Sequence, residues 1–395
     1  MISVKEALSK VLDLVEPLDM EMVDLDKAGG RTLASDVYAS RDQPPFTSSA
    51  MDGYAINSKD LRSGAKLKII GKSVAGFGYD GKISTGEAVR IFTGAPVPKG
   101  SDHILIQEDC IKKNDKIIIN ELFEKNTFIR PQGGDFIVGD VIKAPLDLDA
   151  SSISLLAAMN VSKVPVFKKP IIALIATGDE LVNVGESPNK DQIISSNNYG
   201  LKALIEASGG IARLLPIARD TTKELKTVFK LCDNVDLIVT LGGASVGDYD
   251  LVHSTAKSIG METLFHKVAM RPGKPLMAGK IGSIPILGLP GNPVSALVCG
   301  TVFLIPAINA MLGKDKAALD THNAILVSDL PQNGSREHYM RAETFVIEGE
   351  ELVKVFEQQD SSLLTILSKA NALLIRPVND KARKKGDRVK VILLK

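Results

Sequence analysis

Three cysteines and five histidines in 395 residues leave few soft ligands from which to assemble a metal centre. Cys110, Cys232 and Cys299 lie far apart and show no metal-ligand spacing. Each stands beside apolar residues, which predicts buried thiols in a reducing compartment. Charge of one sign is also lacking: 48 Lys and Arg against 47 Asp and Glu give a net charge of +1. No basic surplus argues for nucleic acid or for an anionic membrane surface, so charge recognition must be local. The first residues show no basic-then-apolar leader, and the cytoplasm is the expected compartment. One uncharged run extends from Ile284 to Gly313. Pro285, Pro290, Pro293, Pro306, Asn292 and Asn309 interrupt it, which predicts a buried strand, loop and helix rather than a membrane span. No Walker loop and no nucleophile–His–acid order is found, so covalent catalysis is not expected.

What is present is the composition of a soluble globular chain, 44% hydrophobic and 24% charged. Its length exceeds one ordinary core and predicts two to four domains. Ser3-Val-Lys-Glu6 is a capping box, followed by Val4, Ala7, Leu8, Val11, Leu12 and Val15 at helical spacing, and Pro17 ends that helix. Short β-prone runs at Leu67–Ile70, Ala88–Phe92, His103–Gln107 and Lys116–Ile119 predict a β-domain over 41–139. It is inserted into a helical framework of residues 1–40 and 140–169. From 170 to 313 strands alternate with helices. Strands are expected at Ile171–Ala176, Ala212–Pro216, Leu237–Leu241 and Ile284–Leu289, and helices at Ser196–Ser208, Thr222–Leu231 and Pro293–Leu312. Such alternation predicts a doubly wound, mostly parallel α/β sheet. Beyond 314 the runs Ala324–Val327, Arg341–Val346, Leu352–Phe356, Ala372–Arg376 and Arg388–Leu394 predict a small C-terminal β-barrel or sandwich.

Three expected strands end in loops of unusual composition: Thr177-Gly-Asp-Glu180, Gly242-Gly-Ala-Ser-Val-Gly-Asp-Tyr-Asp250 and Leu289-Pro-Gly-Asn-Pro-Val-Ser295. Paired glycines let a backbone approach an anion, carboxylates hold a divalent cation or an amino group, and a helix start favours negative charge. Each loop by itself is as readily a plain turn. Placed together at the carboxyl edge of one sheet, they would form a ligand site. Between the last two lies Met270-Arg-Pro-Gly-Lys-Pro275, a turn that presents Arg271 and Lys274 and suits an oxyanion or phosphate. In the β-domain, Asp52 precedes a glycine taken as flexible, Gly53, while Phe92-Thr-Gly-Ala-Pro-Val-Pro98 and Gly133-Gly-Asp135 are further loops. The carboxylates at Asp52, Asp135, Glu180, Asp220 and Asp250 outnumber what phosphate binding needs. They point to a bridging Mg²⁺ or to a polar ring rich in donors.

These motifs together resemble the molybdopterin molybdenumtransferases, the family that includes the C-terminal domain of gephyrin. The resemblance rests on Pro44-Pro-Phe-Thr-Ser-Ser-Ala-Met-Asp-Gly-Tyr-Ala55, Thr93-Gly-Ala-Pro-Val-Pro98, Thr177-Gly-Asp-Glu-Leu181, the Gly242–Asp250 loop, Pro272-Gly-Lys-Pro275 and Leu289–Ser295. The six recur in order and span effectively the whole chain. The family implies four subdomains, an elongated homodimer with active clefts shared between chains, and Mg²⁺-dependent insertion of molybdate into adenylylated molybdopterin with release of AMP. It implies catalytic positions at Asp52, Thr93, Asp135, Glu180, Asp220 and Asp250, with the last three holding metal. Substrate positions are implied at Gly242, Gly243, Ser245, Arg271, Lys274, Pro290, Pro293 and Ser295, and, with looser spacing, at Arg336 and Ser361. The expected partners are the adenylyltransferase and the molybdoenzymes that accept the cofactor. Gly134, Ala176, Ser195 and Arg271 depart from the family's usual Glu, Ser, Asp and Lys. An adenylyltransferase or nucleotide hydrolase on the same fold, or a dimeric peptide-binding scaffold, are the alternatives. The enzyme reading requires the turns near residues 177, 243 and 292 to open into one slot.

Overall fold

The computed structural model describes residues 1–121, 123–242, 251–314 and 319–394. The chain divides into two compact units, Met1–Glu21 with Gly30–Ala34 and Val166–Lys395, and Met22–Gly29 with Ser35–Pro165.

The first unit is built on a six-stranded sheet. Its strands are β1 (Ile171–Ala176), β2 (Ile211–Leu214), β3 (Leu237–Leu241), β4 (Met261–His266), β5 (Met277–Ile281) and β6 (Ile284–Leu289). The spatial order is β2-β1-β3-β6-β5-β4. The β2-β1-β3-β6 portion is parallel, and the β6-β5 and β5-β4 pairs are antiparallel. Helices α1 (Asn197–Ala207), α2 (Thr222–Phe229), α3 (Leu251–Ser258) and α4 (Pro293–Met311) complete the domain. Strand residues alternate between two cores, as the pleat requires. Ile172, Leu174, Val239 and Leu287 pack with Leu201 of α1 and Phe303 of α4. Ala173, Ile175, Ile238 and Ile286 pack with Leu225 of α2 and Val252 of α3. The sheet is therefore doubly wound, mostly parallel as the alternation predicts, with β4 and β5 as an antiparallel addition that the alternation did not suggest. Residues Gly282 and Ser283 turn β5 into β6, with Gly282 at φ +59°.

Helix α4 is long and apolar enough to cross a membrane by length and composition, with a mean hydropathy of 1.9, yet 78% of that stretch is buried within the protein. Its middle, Gly300–Leu304, widens into a π-turn. Pro306 lacks an N–H and crowds the carbonyl one turn earlier, so the regular ladder loosens there. The first helix, Val4–Leu12, is capped by Ser3 through the Glu6 N–H at 3.1 Å and lays Val4, Ala7 and Val11 on the α1/α4 core. After α4 comes a closed five-stranded barrel. Glu337–Ile347 pairs with Glu350–Val355, which pairs in turn with His322–Leu326, Arg388–Leu393 and Ala372–Arg376, and the last returns to Glu337–Ile347.

The second unit carries another six-stranded sheet, in the order His103–Ile106, Gly53–Ile56, Glu87–Ile91, Lys66–Ser73, Lys116–Ile119, Cys110–Lys113. Gly53 is a correction. It lies within a strand, and a Cβ there would stand 2.1 Å from the Leu105 carbonyl oxygen. Close strand approach, not flexibility, requires glycine. Cys232 and Cys299 are buried as expected, whereas Cys110 is only half-buried.

Candidate active site

Winding helices onto both faces of the sheet reverses the strand order between β1 and β3, and a crevice forms at the carboxyl ends of strands at such a switch point. Thr177 ends β1 buried, its N–H and Oγ1 both donating to the Leu241 carbonyl at 2.9 and 3.2 Å. Gly242 ends β3 at φ +90°, with its N–H donating to the Leu289 carbonyl at 3.2 Å. A Cβ on Gly242 would lie 2.8 Å from the Thr177 carbonyl oxygen, and one on Gly291 would lie 3.5 Å from the Gly242 Cα. Thr177, Gly242 and Gly291, at the carboxyl ends of β1, β3 and β6, are thus almost in contact. They line one cleft of about 600 Å³, together with Ser195, Ser196, Asn197, Asp220, Pro275 and Ser362.

Two helices begin at this cleft without a side-chain cap. Asn197, the first residue of α1, donates to the Gly291 carbonyl at 2.7 Å, and Asn292, at the cap position of α4, donates to Ser361 Oγ at 3.1 Å. The positive ends of α1 and α4 therefore face the region where an anion would bind. The opposite rim is acidic. Burial first, and then the like charges of Asp179 and Glu180, raise the Asp220 carboxyl above the ordinary carboxylate range. The Asp220 N–H donates to Asp179 Oδ1 at 3.1 Å, which fixes the two acidic segments side by side. Among the described residues no group of three or more His, Cys, Asp or Glu side chains converges closely enough to hold a metal ion.

Of the residues singled out from the sequence, Glu180, Asp220, Gly242, Pro290 and Pro293 line the cleft. Gly243, Ser245 and Asp250 lie outside the described residues. Arg271 and Lys274 are exposed on the turn that leads to Pro275. That turn needs Gly273 at φ +108°, where a Cβ would stand 2.5 Å from Cys299 Sγ. Ser295, at 4% exposure, is buried beside Val294 in the first turn of α4 and does not appear in the cleft lining. Ser361 reaches the loop from the barrel, its carbonyl accepting from the Val294 N–H at 3.1 Å. Arg336 is half-buried on the barrel, outside the lining, with its carbonyl accepting from Asn333 Nδ2 at 2.9 Å.

Asp52, Thr93 and Asp135 belong to the second unit. Asp52 Oδ1 accepts from the Thr93 N–H and Oγ1, both at 2.8 Å, and these bonds hold its carboxyl below the usual range. Asp135 is exposed, with its N–H on the Gln43 carbonyl at 2.9 Å. Sequence reasoning passed over Asp179, Asn197, Asn292 and Ser362. Asp179 and Asn292 stand inside loops already singled out, and Ser362 adjoins Ser361. Nothing in the sequence signals that Asn197 bridges to Gly291.

A doubly wound sheet with a cleft at its switch point, helix starts on one side and carboxylates on the other, defines an α/β protein that binds a small anionic ligand at the carboxyl edge. The chain matches the MoeA N-terminal region (domain I and II) over residues 2–160, a probable molybdopterin binding domain over 173–310 and the MoeA C-terminal region (domain IV) over 323–394. It is 33% identical over 408 residues to a molybdopterin molybdenumtransferase of Nostoc sp., covering 99% of this chain and 94% of the relative. The enzyme of the same name from Haemophilus influenzae is 33% identical over 381 residues, covering 95% and 94%. The crystal structure of the molybdopterin biosynthesis MoeA protein from Pyrococcus horikoshii superposes with a TM-score of 0.85 at 27% identity, over 100% of both chains. The chain belongs to the molybdopterin molybdenumtransferase family.

Proposed function

We propose that the protein is a transferase of molybdenum-cofactor biosynthesis, inserting molybdate into adenylylated molybdopterin with release of AMP. The observation that carries this reading is the meeting of the loops after β1, β3 and β6 in one cleft, with helix starts facing acids across it. A diphosphate-linked pterin needs that combination: backbone N–H groups for the phosphates, and acids to order a cation and the amino groups of the heterocycle. The phosphates lie against Gly242 and Gly243 and the start of α4 at Pro293, below Pro290. Arg271 and Lys274, with Ser245, Ser361 and Arg336, hold molybdate by charge and hydrogen bonding.

Glu180, Asp220 and Asp250 form the cation side. Asp220, raised by burial and then by the charges of Asp179 and Glu180, gains when a cation arrives, so this acidic side suits Mg²⁺. Bound there, Mg²⁺ would neutralise phosphate charge. The protein's contribution is positioning and charge placement, because the sulfur–metal chemistry belongs to the pterin. A cytoplasmic homodimer with shared clefts, in which Asp52, Thr93 and Asp135 act, is part of the same reading, as are hand-over contacts with the adenylyltransferase and with cofactor-accepting molybdoenzymes.

The test is AMP release from adenylylated molybdopterin with and without molybdate. Molybdate-dependent release, abolished in a folded Asp250→Ala or Glu180→Gln variant, supports the proposal. AMP release indifferent to molybdate would mark a nucleotide hydrolase instead. Mixing inactive Asp52→Ala and Glu180→Gln proteins should restore activity if clefts are shared, and no recovery after subunit exchange would sink that part.

A further inference from the structure

Ser361 and Ser362 come from the C-terminal barrel, yet Ser362 lines the cleft and Ser361 bonds to both Asn292 and the Val294 N–H. The corner that delivers them, residues 358–362, is a loop and needs something to fix it. Two side chains do so. Arg341, wholly buried on the strand Glu337–Ile347, sends Nη2 to the Gln358 and Asp360 carbonyls at 3.2 and 3.0 Å. Gln359 completes a reciprocal pair with the backbone of Arg341: its Oε1 accepts from the Arg341 N–H, and its Nε2 donates to the Arg341 carbonyl, both at 3.0 Å. The same Nε2 donates to the Phe356 carbonyl at 2.7 Å. Asp360 Oδ1 then accepts from the Ser362 N–H at 2.9 Å and its Oγ at 2.6 Å. An unbroken chain of bonds thus runs from a barrel strand to the serines at the start of α4.

The clamp is costly to keep. Nε and Nη1 of Arg341 have no hydrogen-bond partner among the described residues. A buried guanidinium served by two carbonyls gives up most of its hydration, and a side chain needed only to fill that space would be apolar. The planar fork lets one nitrogen span two carbonyls two residues apart, which an ammonium on a flexible stem does not hold in fixed geometry.

We propose that Arg341 and Gln359 are positioning residues, which touch no substrate and hold the 358–362 corner so that Ser361 and Ser362 face the oxyanion end of the cleft. This rests on the reading that the cleft takes molybdate and the adenylylated pterin. The test uses full-length Gln359→Leu, Arg341→Lys and Arg341→Met, with AMP release measured against molybdate concentration. Exchange of backbone hydrogens in the 358–364 peptide is measured alongside. Displaced serines raise the KM for molybdate by about tenfold, while kcat at saturating molybdate stays within about twofold. Exchange in the peptide quickens about tenfold in Gln359→Leu. Should buried Arg341 variants fail to fold, Gln359→Leu, on a half-exposed loop, still decides. Unchanged exchange overturns the clamp whether or not the enzyme turns over. Unchanged KM in a folded variant of an active wild type overturns the positioning role, whereas a wild type without molybdate-dependent release overturns the proposed function itself.

Discussion

Gly242→Ala tests the packing on which the cleft depends. Gly242 sits at φ +90°, where an L side chain is strained by roughly 1–3 kcal/mol. The new methyl would also stand 2.8 Å from the Thr177 carbonyl oxygen and 3.1 Å from its Oγ1. Thr177 cannot easily retreat, because its N–H and hydroxyl are both committed to the Leu241 carbonyl. Forcing an atom into such a site costs about another 1–3 kcal/mol. The sum, roughly 2–6 kcal/mol, is a large share of a typical total stability of about 5–15 kcal/mol. Urea unfolding followed by circular dichroism should show a lower midpoint with an unchanged slope. Gly291→Ala is the internal contrast. Its backbone is not left-handed, and among the described residues its added methyl meets only the Gly242 Cα at 3.5 Å. It should fold within about 0.5 kcal/mol of wild type and weaken substrate binding by crowding the cleft. A Gly242→Ala protein as stable as wild type, or a Gly291→Ala protein less stable than Gly242→Ala, would refute the account of how these loops meet.

Three further outcomes follow from the electrostatics and hydrogen bonds. The folded-state proton affinity of Asp220 is raised, so its ionisation opposes folding as pH climbs above the ordinary value of 3.8. Asp220→Asn, in chelator, should therefore melt higher than wild type near neutral pH and equally well in strong acid; a lower melting point at neutral pH would reverse that sign. His338 is pushed down to about 4 by burial and then by Arg271, Arg341, Arg376 and Arg336. Its neutral form supports folding above 6.5, and roughly 3 kcal/mol is lost as pH falls from there to about 4, so His338→Gln should flatten the pH–stability curve in that window. Asp52→Ala removes the acceptor for both Thr93 donors at the surface, where water substitutes, so the unfolding midpoint should hardly move while molybdate-dependent AMP release disappears. A large stability loss with activity retained would make Asp52 a structural residue.

Much of the fold was legible because its signals are local. β-branched runs at Ile171–Ala176, Leu237–Leu241 and Ile284–Leu289 read directly as buried parallel strands, and Ser3 reads as a cap. Strands β4 and β5 escaped notice because Met261–His266 mixes charge with apolar residues and Met277–Ile281 contains glycine and lysine. The residues Gly282 and Ser283 between two apolar runs were a hairpin signal that could have been used. Gly53 was misread because a glycine wanted for close approach and one wanted for freedom are the same letter. Ser295 was singled out for its hydroxyl, and its burial in the first turn of α4 is set by how that helix packs on the sheet, which no local pattern shows.

By itself, the sequence determined which strands end in loops of glycine, proline and carboxylate, since those residues beside an apolar run act through local backbone geometry. It equally determined the kinship, through motifs spread over the whole chain. Only the tertiary structure decided that Thr177, Gly242 and Gly291 approach within van der Waals reach, that a serine corner from the barrel stands over α4, and that Arg341 pins that corner. Those are contacts between segments from 17 to several dozen residues apart, set by strand order and helix packing, and no local pattern encodes them.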